Sequence, residues 1–368
     1  MKVPLLDLTA QYKTIKDDVR KAIDEVCETQ SLILGPHVAG FEADLAACCR
    51  TAHAVGVSSG TDALLAIMMA LNIGPGDEVI VPSFTFFATG GCVHRVGATP
   101  VFVDIDPDTF NIDPAAVEKA VTPRTRAIIP VHLFGQMAQV ERLNEIACSA
   151  GREIYVLEDA AQAIGATRFG TPACGMGFAG ALSFYPTKNL GAFGDAGAVC
   201  CQDDALAERV RLVRVHGSGH TYYHEMVGGN FRIAAIQAAV LKVKLARLEG
   251  WNEARRRHAA IYDAAFAGTA VAAPRIIEGN VSTYNQYVVR VPDRDAVRQK
   301  LADAGVGSGV YYPLGLHLQA CFAHLGYKAG DLPETERACA EVLALPVYPE
   351  LSDEQISYAA EQVLLAAG

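Results

Sequence analysis

Between about residues 50 and 215, short apolar runs alternate with helical patterns, and this alternation restricts the fold more than any other feature of the chain. The runs are Glu78–Pro82, Pro100–Asp104, Ala127–Val131, Ile154–Leu157, Ala181–Phe184 and Ala198–Cys200. Each is only a few residues long and apolar on both faces. Strands of that kind need helices on both sides, which is the condition of a parallel sheet. Segments such as Ala115–Ala120 and Val140–Ala150 supply helices between the runs. The expected architecture is a doubly wound α/β domain.

After Gly229 the pattern changes. Residues Ala234–Ala265 form one long run of helix formers, with Leu241, Leu245 and Leu248 at helical spacing. A strand is expected around Asn285–Val291, a helix at Arg294–Ala304, then a loop rich in Tyr, Pro and Gly, and a final helix at Asp353–Ala367. The boundary is placed near Trp251, giving a large domain over residues 1–250 and a smaller α/β domain over 251–368.

The net charge of −10 is spread along the chain, so no general affinity for nucleic acid or an anionic membrane is expected. An anionic substrate must be held by a local set of donors. The longest apolar stretches, such as Ala63–Ile73, are too short to span a bilayer. Ten cysteines include the neighbours Cys48–Cys49 and Cys200–Cys201 but no CxxC, which argues against a zinc knuckle or a thioredoxin-like site, and no metal is expected. No secretory leader is read at the N-terminus, so the thiols are expected to be reduced core residues of a cytoplasmic protein.

Three segments could carry chemistry. In Val57-Ser58-Ser59-Gly60-Thr61-Asp62-Ala63-Leu64, small residues lead into a helix over Ala63–Leu71. Free N–H groups, the positive end of the helix dipole and the Thr61 hydroxyl make a phosphate site there, although Ser and Thr also simply cap helices. In Glu158-Asp159-Ala160-Ala161-Gln162, a buried strand ends in two acids, at the strand end where open α/β sheets bind ligands. Adjacent strand residues face opposite sides, so the acids cannot share a role. One could pair with a protonated pyridine nitrogen and keep such a ring an electron sink, or it could cap a helix. In Ser183-Phe184-Tyr185-Pro186-Thr187-Lys188-Asn189-Leu190-Gly191, a strand runs into a turn with a single lysine among glycines. A desolvated lysine has a lowered pKa and can form a Schiff base, while most loop lysines are merely solvated.

The order of phosphate loop, acid and lysine resembles the aspartate-aminotransferase type of pyridoxal-phosphate (PLP) fold. The residues are similar to the DegT/StrS group of nucleotide-sugar aminotransferases. Beyond the three segments, the match includes Gly74-Pro75-Gly76-Asp77-Glu78-Val79, Pro82-Ser83-Phe84-Thr85-Phe86, Gly194-Asp195-Ala196-Gly197, Val215-His216-Gly217 and Ile236-Gln237-Ala238-Ala239. It covers essentially the whole length, less sharply in the second domain. The resemblance implies a fold type I large domain with a mostly parallel sheet and a smaller C-terminal α/β domain. It implies PLP carried on Lys188, which also shuttles the proton. Asp159 pairs with the pyridine nitrogen, Gln162 lies near the phenolic oxygen, and Phe86 stacks on the ring unless it is plain core. Gly60, Thr61, Asp62 and Ser183 hold the phosphate. In the family a neighbouring subunit completes the site, so a homodimer is implied, with Asn230 on the phosphate and Arg232 on the substrate. The family often has Asp or Met after this arginine, where this chain has Ile233-Ala234. Tyr311-Tyr312-Pro313-Leu314-Gly315-Leu316-His317-Leu318-Gln319 resembles a family motif that puts Tyr312 and His317 near the sugar or diphosphate. His216 is either a substrate contact or a helix-end residue.

The activity implied is transfer of an amino group from glutamate to a nucleotide-linked keto sugar, in amino-sugar biosynthesis for a surface polysaccharide (lipopolysaccharide or O-antigen) or a glycosylated natural product. The Tyr-Pro and His-Leu-Gln segment with Trp251-Asn252 favours a 3-keto over a 4-keto sugar. A sugar dehydratase of the same fold is the first alternative, but those relatives carry histidine where this chain has Lys188. A non-catalytic PLP-binding regulator is the second. An NAD-dependent Rossmann enzyme is disfavoured because no GxGxxG follows the first strand.

Overall fold

The computed structural model describes residues 1–220 and 222–368. The apolar runs form a seven-stranded sheet of β1 (His53–Val57), β2 (Glu78–Pro82), β3 (Thr99–Val103), β4 (Thr125–Ile128), β5 (Tyr155–Asp159), β6 (Ala179–Ser183) and β7 (Gly197–Cys201). The spatial order is β1-β7-β6-β5-β4-β2-β3. Neighbours from β3 across to β6 are parallel; β7 runs antiparallel to both β6 and β1. Every residue of β2 and of β7 is buried, as two-sided coverage requires.

The cover comes from α1 (Leu8–Thr29), α2 (Gly35–Cys49), α3 (Gly60–Ala70), α4 (Phe87–Arg95), α5 (Pro114–Ala120), α6 (Val140–Ser149), α7 (Asp204–Val213) and α8 (Ala235–Leu245). Asp7 caps α1 by accepting from the Thr9 and Ala10 amides. Helix α3 is buried almost all round, with Ala63, Leu64, Leu65, Ala66, Ile67 and Met68 against the sheet, and it begins three residues earlier than the apolar run suggests, at Gly60.

The second unit holds α9 (Leu248–Phe266), β8 (Tyr287–Arg290), α10 (Arg294–Asp303), α11 (Pro333–Glu341), β9 (Val342–Leu345) and α12 (Asp353–Ala367). β8 and β9 pair antiparallel, and Tyr262, Phe266 and Tyr287 stack in the core beside Leu301, Ile356 and Val363. The expected single helix over Ala234–Ala265 is two, broken at Ala246–Arg247; the leucine spacing runs through the break and hides it. The small unit also takes the start of the chain. Val3 is fully buried in its core and bridges Val306, its N–H donating to the Gly305 carbonyl at 2.9 Å. Among the described residues, no helix is long and apolar enough to cross a membrane.

Candidate active site

The three segments meet at the carboxyl ends of β1, β5 and β6. Ser59 caps α3, its hydroxyl accepting from the Asp62 amide at 3.0 Å. The Asp62 carboxylate in turn accepts from the hydroxyls of Ser58 (2.6 Å) and Ser59 (2.9 Å). Asp62 thus shapes the loop: its amide is taken by Ser59 and its carboxylate by the two serine hydroxyls. The amides of Gly60 and Thr61 open the helix, where no intrahelical acceptor exists. A Cβ on Gly60 would sit 2.7 Å from Ser183 Cβ, and one on Gly197 would sit 2.4 Å from the Ser59 carbonyl. These close approaches bring the helix start, Ser183 and β7 together around one pocket for a phosphate.

The two acids at the end of β5 do face opposite ways. Glu158 is fully buried and accepts from His132 Nε2 (2.7 Å) and from the amides of Cys174, Met176 and Gly177 (2.9, 2.9 and 2.6 Å). Because the Ala138 amide donates to His132 Nδ1 (3.2 Å), the ring proton is on Nε2 and points at Glu158. Glu158 is therefore a scaffold for the 174–177 loop. Asp159 faces the site. Its Oδ2 accepts from Thr89 Oγ1 at 2.8 Å and its Oδ1 from the Ala161 amide at 3.2 Å. The Thr85 hydroxyl lies 3.2 Å from that of Thr89. Since Thr89 must give its proton to the carboxylate, Thr85 donates to Thr89, forming a directed relay Thr85–Thr89–Asp159. Burial holds the Asp159 carboxyl above the ordinary range, against the hydrogen bonds from Thr89 and Ala161 and the charge of Lys188.

Lys188 lies in the turn after β6, its amide donating to the Tyr185 carbonyl at 2.8 Å. Burial lowers its pKa to about 8, and the Asp159 carboxylate opposes that shift. The turn closes so tightly that a Cβ on Gly191 would lie 2.2 Å from the Pro186 carbonyl oxygen. Gln162 accepts from the Phe134 amide (2.7 Å) and donates to the Tyr312 hydroxyl (3.1 Å). Phe86 is 58% exposed, so it is not core, and its ring lies 6.3 Å from that of Tyr312.

Other expected residues lie further out. The His317 ring is fully buried, with Nδ1 2.7 Å from the Ser83 hydroxyl and Nε2 3.3 Å from Glu336, so it ties the 311–318 segment to the end of β2. His216 is exposed at φ +63° after α7, and its carbonyl accepts from His224. Asn230 is exposed. Arg232 bridges Val57 beside the phosphate loop, and its Nε is buried without a partner. Sequence reasoning missed Thr89, Thr85 and His132. The spacing of the threonines, four apart at the start of α4, was the only local signal for the relay.

This donor set fits PLP: a helix start for the phosphate, a buried carboxylate for a protonated ring nitrogen, a desolvated lysine for the aldehyde, and an exposed aromatic ring for stacking. Comparison with known proteins agrees. The family model of the DegT/DnrJ/EryC1/StrS aminotransferases matches residues 13–364. A pleiotropic regulatory protein of Geobacillus stearothermophilus is 50% identical, over 99% of this chain and 98% of that one. The UDP-N-acetyl-3-dehydro-alpha-D-glucosamine 3-aminotransferase of Acidithiobacillus ferrooxidans is 41% identical, over 96% and 95%. The crystal structure of S. venezuelae DesV in complex with a ketimine intermediate superposes with a TM-score of 0.97 at 43% identity, covering 100% of this chain and 98% of that one. Fold type I architecture, site and sequence together place this chain in the DegT/DnrJ/EryC1/StrS aminotransferase family.

Proposed function

We propose that this chain is a PLP-dependent aminotransferase that moves an amino group from glutamate to a nucleotide-linked 3-keto sugar. The observation that carries the reading is a buried Lys188, its pKa lowered to about 8, held in the field of the buried Asp159 carboxylate. PLP, when bound, supplies the electron sink. The chain's own residues do the rest. Asp159 keeps the ring nitrogen protonated, and Thr89 orients that carboxylate. The amides of Gly60 and Thr61, with Ser183, hold the phosphate. Phe86 would cover one ring face, and Gln162, held between the Phe134 amide and the Tyr312 hydroxyl, would lie near the phenolic oxygen. With PLP bound, the Lys188 amine would accept the proton from the donor's α-carbon and hold it for return, and would serve in the reverse sense for the keto sugar. A pKa near neutrality suits both directions. Two substrates using one site in turn give ping-pong kinetics.

The 3-keto preference draws on the 41% identical relative named for a 3-dehydro sugar. A second copy of the chain is proposed to complete the site. Leu32, Ile33, Phe87, Tyr185 and Phe193 are large exposed apolar residues that suit a homodimer interface. Asn230, Arg232 and His216 are then offered to the partner's phosphate and substrate, and the orphaned Arg232 Nε suits an anionic partner. The regulatory reading gains a point from the 50% identical relative's name, but Lys188 and Asp159 retain the full apparatus for turnover. The free thiols suit a reducing cytoplasm.

The test is a panel of nucleotide-linked 3-keto and 4-keto sugars incubated with glutamate and the holoenzyme, with products read by mass. The expected result is a 3-amino sugar nucleotide. No aminated product from any sugar would overturn the transferase reading, while borohydride trapping on Lys188 separately checks the cofactor.

A further inference from the structure

The turn that carries Lys188 is held mainly by residues outside the sheet that delivers it. Asn189, the next residue, is 3% exposed and points away from the site. Its Nδ2 donates to Asn252 Oδ1 at 2.8 Å and to the Thr283 carbonyl at 2.9 Å. Two acceptors fix the orientation of the amide, because the flipped form would set oxygen against oxygen. That leaves Asn189 Oδ1 buried with no partner. On the far side of the turn, the Gly191 carbonyl accepts from Lys244 Nζ. Lys244 is itself buried, its ammonium 5.8 Å from the centre of the Phe193 ring and 5.9 Å from that of Trp251.

The partners are tightly set in turn. Asn252 is fully buried at the start of α9 and donates to the Ile164 carbonyl at 3.3 Å. Gly165, at φ +84°, comes so near that a Cβ there would lie 2.6 Å from Asn252 Nδ2. Gly135, at φ +99°, would place a Cβ 2.7 Å from Thr283 Oγ1. An apolar side chain at 189 would remove the stranded Asn189 oxygen but leave Asn252 Oδ1 and the Thr283 carbonyl without this donor, so the asparagine ties the turn to both. What the asparagine supplies is direction: two bonds on one side of the turn and Lys244 on the other.

We propose that Asn189 and Lys244 are positioning residues for Lys188, clamping its turn to the α8–α9 corner and to Thr283 so that the amine meets the cofactor carbon in one orientation. The proposal rests on Lys188 being the amine that carries the cofactor. Neither residue touches the reacting atoms; both act through the backbone of residues 188–191.

The experiment compares the holoenzyme with Asn189→Ala, Lys244→Met and, as a stability control, Asn111→Ala, which removes a buried bond to the Gln136 carbonyl elsewhere in the large unit. Three readouts are taken: kcat and KM separately, the pH midpoint of the absorbance of the cofactor–lysine linkage, and Tm. Asn189→Ala and Lys244→Met are expected to keep borohydride trapping on Lys188, lose about 10–100-fold in kcat with donor KM unchanged, and move the pH midpoint. Asn111→Ala is expected to lower Tm only. Clamp variants that lower Tm while leaving kcat and the midpoint at the wild-type values would overturn the proposal. Should Asn189→Ala not fold, Lys244→Met decides, since it removes the other pin from a different helix. Failure of the wild type to trap cofactor on Lys188 would instead overturn the functional reading, and this inference with it.

Discussion

Replacing Thr89 by valine keeps the shape of the side chain and removes one hydroxyl. Thr89 is fully buried and its bond to Asp159 is 2.8 Å long, so no water is placed to substitute. A buried hydrogen bond to a charged group contributes about 1.5–3 kcal/mol, and to a neutral one about 1 kcal/mol. Burial raises the folded carboxyl of Asp159 above its unfolded value. Below roughly pH 4 the group is neutral in both states; as pH rises the unfolded chain ionises first, so folding loses stability until the folded carboxyl ionises too. The Thr89 bond favours the ionised form and narrows that window, and its loss widens it. Thr89→Val in the cofactor-free protein should therefore cost about 1.5–3 kcal/mol at pH 8 and about 1 kcal/mol near pH 4. Urea unfolding at the two pH values measures both. Because 1.4 kcal/mol is tenfold, the Kd for PLP should rise about tenfold or more at pH 8. Equal losses at both pH values, with unchanged cofactor affinity, would refute the claim that Thr89 supports an ionised Asp159.

Gly60→Ala forces a Cβ to within 2.7 Å of Ser183 Cβ; it should destabilise by about 1–3 kcal/mol and speed cofactor release, read by dialysis of the holoenzyme followed by absorbance. Glu158→Gln leaves an amide against at least one of four donors, so thermal unfolding should show a loss of about 1.5–3 kcal/mol while Lys188 still traps cofactor. Lys188 and Lys244 are both lowered by burial from 10.5 to about 8, so the unfolded chain binds more protons across that window and stability should rise with pH through it. Lys188→Met should flatten that rise in the cofactor-free protein, and an unchanged slope in urea titrations would count against a desolvated lysine.

The large unit could be read from sequence because its strands are buried on both faces and leave continuous apolar runs. β1 escaped because His53–Val57 opens on a half-buried histidine and runs straight into the small polar residues Ser58 and Ser59. The opposite roles of Glu158 and Asp159 followed from strand alternation alone. Their partners did not: Thr89 is 70 residues from Asp159, and His132 is 26 from Glu158, so only the folded chain pairs them. The same holds for Asn189 and Asn252, 63 apart. The burial of the His317 ring against Ser83 and Glu336 was not legible either, because a motif records which residue stands at a position and says nothing of what its ring packs against.

The bridge between Val3 and Val306 sets a timetable for synthesis. Val3 is synthesised 303 residues before its partner, which at 5–20 residues per second is a wait of roughly 15–60 s. All seven strands of the central sheet, from His53 to Cys201, are made within that interval. The segment around Val3 thus stays without a berth until Val306 has emerged. A bulky tag fused at Met1 should slow maturation of the C-terminal unit rather than of the helix it directly precedes.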